Sequence, residues 1–593
     1  MNGPLAALLG AALFVAPARA QMQVKNPDTL TYLTISDADS MDPAWSYDTA
    51  SQLVILNVYE PLFWFDGGSL TKLVPLLAAK VPSKGNGLIS RDGRVYRIPI
   101  RKGVKFQDGV PLTPEDVRYS LVRFMLQDRD AGPSSLLLQP LLGYNATREG
   151  GVLKPGVFQD ALKAVRVEGG DVVLTLPKPY APLLSILASW APIVSKAWAV
   201  KNGDWDGTEA TWKKWNNPDK ESSPFYERAD GTGPFILDRW DRKNLQIVLR
   251  RNPSYWRKPA ALARVVIRGV NEFGTRKLEL QAGDADSIYA TAPQRSQVEN
   301  LAGVHLIDDL PAVELNPIVY FTFKINTAGN PNVGSGKLDG DGIPPDFFSD
   351  VDVRKGFAYS VDYAGYVRDV KRGHATQATG CIPLSLPGHN PKQKTYSFDP
   401  KQAEAHFRKA WGGQVWAKGF RFTLLYNEGN QERETVALMI KRNVENLNAK
   451  FQVDVRPVEW PTFLDQYRAS KLPIFMMGWQ ADFPDPHNFA YVLMDSHGDY
   501  PATQHYSNPE ADRLVERAIA ETDAEKRKEL YYKLQALEYD DVPHLVIDDS
   551  TRFRTDRTWV HGYVHNPIFP DAPYGAYFYT IWKSLPGRKG GGR

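Results

Sequence analysis

Leu30 to Ile35 alternates apolar and polar positions, the period-two pattern of a strand with one buried face. Asp42-Pro43 breaks it, and a helix is expected from about Thr49 to Tyr59. Tyr96, Ile98 and Ile100 alternate in a second strand, and Pro99 assigns it to a sheet edge because proline brings no donor to a ladder. Asp108-Gly109 marks a turn. Thr113-Pro114-Glu115-Asp116 predicts a helix start: Thr113 caps, Pro114 suits the first turn and the acids complement the helix dipole.

The clearest pattern lies between Phe420 and Trp479. Phe420, Phe422 and Leu424 alternate, and Val436, Ile440, Val444 and Leu447 recur at helical spacing. Phe451, Val453 and Val455 alternate again, and a short helix around Phe463 to Tyr467 leads into the apolar run Ile474 to Met477. That order is β-α-β-α-β, which predicts a parallel sheet covered by helices. Ligands of such open sheets bind beyond the carboxyl ends of strands, where Gly478 to Asp482 lies. Two further helices are opened by Asn508-Pro509 and by Asp523, and Pro543 ends the pattern. Thr327 to Asp350, rich in Gly, Asp and Pro, reads as a surface insertion.

At 593 residues the chain exceeds what one hydrophobic core supports, so several lobes are expected, and an apolar content of 43% is ample to fill them. Net charge is +3, a balance that gives no reason to expect nucleic acid. Cys381 is the single cysteine, which excludes an internal disulfide and a thiolate metal site. Leu5 to Ala16 is a short apolar run followed by Ala18-Arg19-Ala20. This is the plan of a secretory signal peptide cut after Ala20, although Met1 to Pro4 carries no Lys or Arg. The run is too short to span a bilayer, and no cysteine follows the cut to carry a lipid anchor. A free, periplasmic mature protein is expected, with the Gly-rich end Arg588 to Arg593 as a frayed tail.

Catalytic motifs are missing. There is no G-x-S-x-G elbow, no H-E-x-x-H pair and no phosphate loop with its Lys-Ser/Thr. Gly231-Thr232-Gly233-Pro234-Phe235 lacks that lysine and Pro234 removes a donor, so it reads as a structural turn. Asp339-Gly340-Asp341-Gly342 lacks the remaining ligands of a calcium loop. His374, His389 and His487 are scattered, although His487 sits near two acids. Asp482 and Asp485 are three apart, but Pro484 and Pro486 forbid a regular helix between them, which argues against a glycosidase pair. No enzyme activity, no metal and no cofactor are expected.

Gly478-Trp479-Gln480-Ala481-Asp482, entered from an apolar strand and followed by Asp485-Pro486-His487-Asn488-Phe489, resembles the ligand-binding segment of the family 5 solute-binding proteins. That family contains the oligopeptide-, dipeptide- and nickel-binding receptors of ABC importers. Asp42-Pro43 with Tyr59-Glu60-Pro61-Leu62, then Arg101 to Phe106, Leu112 to Val117, Gly231 to Phe235, Arg251 to Trp256, Ala282 to Asp286 and Val353 to Ala358 follow the family's order. The resemblance runs from about Leu30 to Ile581. It implies an α/β, two-lobed periplasmic-binding-protein fold, type II-like and hinge-bending, with an extra subdomain in the first lobe. Lobe one is placed at 21–66, 176–317 and 547–593, its subdomain at 67–175 and lobe two at 318–546, with crossings near Pro317 and Leu545.

The resemblance also implies a mechanism. Ligand bridges the lobes and stabilises a closed state that a membrane permease recognises. Asp482 matches the family acid that pairs with a peptide α-ammonium. The backbone of Gly478, Trp479, Gln480 and Ala481, and of the loop carrying Trp45, Ser46, Tyr47 and Asp48, would pair with an extended peptide. Trp479 would wall a ligand side chain. The same residues have structural uses: Trp479 in a core, Asp482 capping the proline-rich turn, Trp45 and Tyr47 covering a loop. Oligopeptide receptors carry a basic residue just before Gly-Trp. Here the stretch is Ile474-Phe475-Met476-Met477, so Arg372 and Arg433 become the candidates for a ligand carboxylate. A monomeric peptide receptor is expected. The alternatives are a receptor for another solute, such as an oligosaccharide or a metal chelate, and a secreted hydrolase.

Overall fold

Two sheets carry the architecture of the computed structural model, which describes residues 24–584 except 36, 131, 428–429, 459, 522 and 570–575. The expected signal peptide and the basic tail lie outside the described residues. The first sheet has seven strands in the order Val304–Leu310, Arg552–Arg557, Ser287–Ile288, Thr29–Thr34, Arg264–Gly269, Gln246–Arg251, Phe235–Asp241. Thr29–Thr34 runs through its middle, parallel to the strands on both sides. The second sheet has five, in the order Phe451–Val458, Phe420–Asn427, Ile474–Gln480, Glu314–Phe321, His544–Val546. The β-α-β-α-β unit supplies its first three strands, joined by the helices Gln431–Glu445 and Trp460–Arg468. Phe420–Asn427 pairs parallel with both neighbours, whereas Glu314–Phe321 is antiparallel to both of its own, so the sheet is mixed. Val95–Pro99 is the edge of a separate three-stranded sheet, as Pro99 requires.

The chain passes from the first sheet to the second between Leu310 and Glu314 and returns between Val546 and Arg552. Glu314–Phe321 therefore runs across the 317/318 boundary expected from sequence, and Pro317 lies inside that strand rather than at a crossing.

Alternation decides which core each residue enters. Ile474 and Met476 join one core while Phe475 joins the other, and Val319 and Phe321 oppose Ile318 and Tyr320 in the same way. The five-stranded sheet is thus buried on both faces, which explains the unbroken apolar run in its central strand. One face packs on a phenylalanine-rich core that includes Phe357, Phe407, Phe420 and Phe422. The segment 327–350 corrects the expectation of a surface insertion. Its polar turns carry Val333, Ile343, Phe347 and Phe348, all buried in that same core, so a low apolar fraction concealed four anchors.

Gly231 and Gly233 confirm a structural turn. A Cβ on either would come within 2.3 and 2.6 Å of the Val58 carbonyl oxygen, so the chain passes directly over the end of helix Thr49–Val58. Helix Pro114–Gln127 begins with a reciprocal cap: Asp116 N–H donates to the Thr113 hydroxyl and Thr113 N–H to the Asp116 carboxylate. From that helix Arg123 reaches both oxygens of Asp42 at 2.7 and 2.6 Å and Asp204 at 2.9 Å, all buried. Burial opposes ionisation of Asp42, but the Arg123 guanidinium together with hydrogen bonds from Ser223 and Ala44 N–H more than offsets it and holds the carboxyl below its usual range. Deleting one partner strands the other charges, so Arg123→Met is expected to destabilise the fold by about 3–5 kcal/mol. Denaturant midpoints check this against Arg118→Met, whose pair with Glu115 is partly exposed. An equal loss in both variants would refute burial as the cause.

Candidate functional site

The loop before helix Thr49–Val58 is built on Asp42. Its carboxylate accepts from Ala44 N–H at 2.9 Å, and its carbonyl from Trp45 and Ser46 N–H at 3.1 and 2.9 Å. Trp45 lies under the Arg129 guanidinium, 4.0 Å from the ring centre, and its indole N–H donates to Pro218 O at 3.1 Å. Ser46 Oγ donates to Ser40 O at 2.6 Å, and Asp48 caps the helix by accepting from Ser51 N–H at 2.8 Å. Trp45, Ser46 and Asp48 thus hold the loop itself. Tyr47 is the loop residue that reaches across: its hydroxyl donates to Asp482 Oδ2 at 2.9 Å.

On the other side, the apolar strand Ile474–Gln480 ends in the segment Gly478 to Asp482. Gly478 admits its neighbour strand closely, because a Cβ there would lie 2.6 Å from the Asn316 side chain, and its carbonyl accepts from Tyr500 at 2.8 Å. Trp479 is half-buried, meets Tyr500 edge-on at 6.1 Å and donates its indole N–H to Asn488 Oδ1 at 2.9 Å. Gln480 accepts from Arg552 at 2.6 Å, and Ala481 N–H donates to Val313 O at 2.9 Å. Asp482 is buried. Beyond Tyr47 it accepts from Asn488 Nδ2 at 3.0 Å, and its carbonyl accepts the Trp190 indole N–H at 2.9 Å. Trp190 and Tyr47 meet edge-on at 5.1 Å. Trp190, Asn488, Tyr500 and Arg552 were not singled out from sequence. Asn488 stood inside the motif without a role, Tyr500 lies just beyond its end, and Trp190 and Arg552 lie far from it along the chain.

The second acid, Asp485, is held by the two terminal guanidinium nitrogens of Arg527 at 2.8 and 2.6 Å, so the two acids serve different partners. Arg433 is buried, donating to Asn427 at 2.8 Å and to the Asn316 side chain beside Gly478 at 3.3 Å. Arg372 instead lines an open groove with Val367, Arg368 and Gln377. His487 is buried edge-on to Tyr180, and burial pushes its imidazole down to about 4, so it is neutral at pH 7. His374, scattered in sequence, is brought to Asp308 and Asp309, with the ligand atoms within 4.8 Å of one another. Asp308 is already engaged by the two terminal guanidinium nitrogens of Arg295, which makes this an ion-pair cluster.

Burial pushes the Asp482 carboxyl up from 3.8 to about 6, against the lowering hydrogen bonds from Asn488 and Tyr47. A folded value above the unfolded one means that ionisation costs stability. The contribution is fully present below about pH 4, is lost as pH rises to about 6 and is constant above. The loss amounts to about 3 kcal/mol. Asp482→Asn is expected to remove this component of the slope in denaturation between pH 4 and 7 of the arrangement in which Tyr47 and Trp190 enclose Asp482. A slope identical to that of the wild type would assign the proton elsewhere.

Known proteins of the same architecture place the chain. The oligopeptide-binding protein OppA of Bacillus subtilis is 26% identical over 549 residues, covering 90% of this chain and 89% of OppA. Heme-binding protein A of Haemophilus influenzae is 27% identical over 573 residues, 94% of each chain. The solved structure of the ABC transporter-associated periplasmic binding protein DppA from Helicobacter pylori, in complex with peptide STSA, shares the fold. Its TM-score is 0.70 at 22% identity, covering 94% of this chain and 98% of its own. The family described as bacterial extracellular solute-binding proteins, family 5 Middle, matches residues 72–501, well over half of the sequence. The chain belongs to the family 5 bacterial extracellular solute-binding proteins.

Proposed function

We propose that this protein is the receptor of an ABC importer, exported to the periplasm, and that it captures short peptides between two lobes by their α-ammonium group. The observation that carries the reading is the buried Asp482 carboxylate, held between Tyr47 from one side and Asn488 from the other, both neutral donors. Enclosing a carboxylate with neutral partners alone is costly, and an ammonium offsets that cost with opposite charge. The backbone offers a second anchor. Ile474–Gln480 is laddered to Glu314–Phe321 along one edge, whereas among the described residues its ladder to Phe420–Asn427 is made at Leu425 and Phe475 alone. The far end of that edge suits an extended peptide main chain. The lobes expected from sequence, hinged at 311–313 and 547–551, would close on the ligand and present a surface to the membrane permease.

Relatives named for peptides support this reading, and one named for heme keeps a metal chelate as the alternative. The sign of Asp482 favours peptides: a buried carboxylate attracts an ammonium and repels the carboxylates of a heme.

Titration calorimetry with Ala-Ala-Ala and its N-acetylated form tests the reading. The free-amino peptide is expected to bind at least tenfold more tightly, about 1.4 kcal/mol, and Asp482→Asn to abolish that preference. Equal binding of the two peptides would reject the ammonium anchor. A wild-type protein that takes neither peptide but binds heme would reject peptides altogether.

A further inference from the structure

Asn488 Oδ1 accepts two hydrogen bonds from two different positions, Trp479 indole N–H at 2.9 Å and Asp482 backbone N–H at 3.0 Å. Its Nδ2 donates to Asp482 Oδ2 at 3.0 Å. The side chain is 4% exposed, at the start of helix His487–Met494. One planar amide therefore fixes the apolar wall, the strand end and the carboxylate together.

We infer that Asn488 is the positioning residue of the ligand site, holding the Asp482 carboxylate aimed and the Trp479 ring oriented while the lobes are apart. The two partners of the carboxylate differ in where they come from. Tyr47 belongs to the opposite side, so opening removes its hydroxyl from Asp482. Asn488 is six residues along from Asp482 on the same segment, so its bonds survive opening. Without it, an open receptor leaves Asp482 to sample solvent rotamers, and each capture must order the carboxylate and the indole anew. Ordering them in advance removes that entropy from the binding step.

Only an amide of this length meets the geometry. A carboxylate keeps the two acceptor bonds but replaces the donor with a like charge, serine has no second heavy atom to bridge with, and glutamine overshoots by a methylene. Asn488→Asp is nearly isosteric and would place two carboxylate oxygens in contact. Such a pair ionises fully only at a strongly raised pH. The inference takes Asp482 as the anchor proposed above. It is read first in ligand-free protein, so its failure is separate from failure of the peptide reading.

The experiment compares wild type, Asn488→Asp and the exchange variant Asp482→Asn/Asn488→Asp by chemical denaturation at pH 5, 6, 7 and 8. In Asn488→Asp the folded-to-unfolded ratio is expected to fall at least tenfold more than in wild type between pH 6 and 8, because the pair retains a proton that the unfolded chain has released. Failure to fold at pH 8 with recovery at pH 5 is the same result in stronger form. The exchange variant restores one amide and one carboxylate and is expected to recover most of the loss at pH 8. Binding of Ala-Ala-Ala is expected to stay at least tenfold weaker in the exchange variant than in wild type, since the charge has moved. A wild-type pH profile in Asn488→Asp, or an exchange variant no better than Asn488→Asp, overturns the inference. If wild type does not bind Ala-Ala-Ala, the peptide reading falls while the denaturation profiles still decide the role of Asn488.

Discussion

A carboxylate enclosed between two bodies needs partners from both, and the centre of this protein is arranged around that need. Asp482 accepts a phenol from one side and an amide from the other, and the Trp190 indole ties down its carbonyl. Neutral donors soften the cost of burial without cancelling it, which is why the carboxyl is pushed up to about 6. A residue in that state costs stability when it ionises, which is the cost that the proposed ammonium ligand would offset.

The scaffold serves that arrangement from two directions. On one side, the five-stranded sheet is buried on both faces, so its central strand is packed from both sides and leads into Gly478 to Asp482. On the other, Arg123 pins Asp42, Asp42 pins the following loop and the loop presents Tyr47. Only two short connections, 311–313 and 547–551, join the sheets along the main chain. Arg552 sits just after the second of these and contacts both Glu314 and Gln480, so this connection touches the candidate site directly. Closure of such bodies changes which partners each site group has, and ligand affinity is the free energy of that exchange.

The family shares a fold across ligands of different chemistry, and fold by itself does not choose among them. The choice here falls to a few side chains at the interface. In the proposed reading Asp482 would set the sign of the charge that is welcome, Trp479 would supply a flat apolar wall, and the strand end would supply direction. Arg433, close behind Gly478 through Asn316, adds positive potential without entering the Asp482 cluster.

Much of this was legible in the chain. Period-two alternation marked the strands at Leu30 and Phe420, helical spacing marked Val436 to Val444 although the helix stops short of Leu447, and the Thr113 start appeared where the capping residues predicted it. These are local signals, written within a few residues of the structure they specify. The segment 327–350 misled because composition averages over positions, and four buried apolar residues among polar turns do not raise the average. Asp482 itself was legible, since its motif is contiguous. Its surroundings were not. Tyr47 lies 435 residues away and Trp190 292, and no local pattern encodes a hydrogen bond over such distances. Trp45, Ser46 and Asp48 share Tyr47's loop, yet only the fold shows that they face inward to hold it. The sequence by itself determined the elements and the charged residue at the strand end. The tertiary structure decided which side chains meet that charge, because burial and direction depend on how distant segments pack.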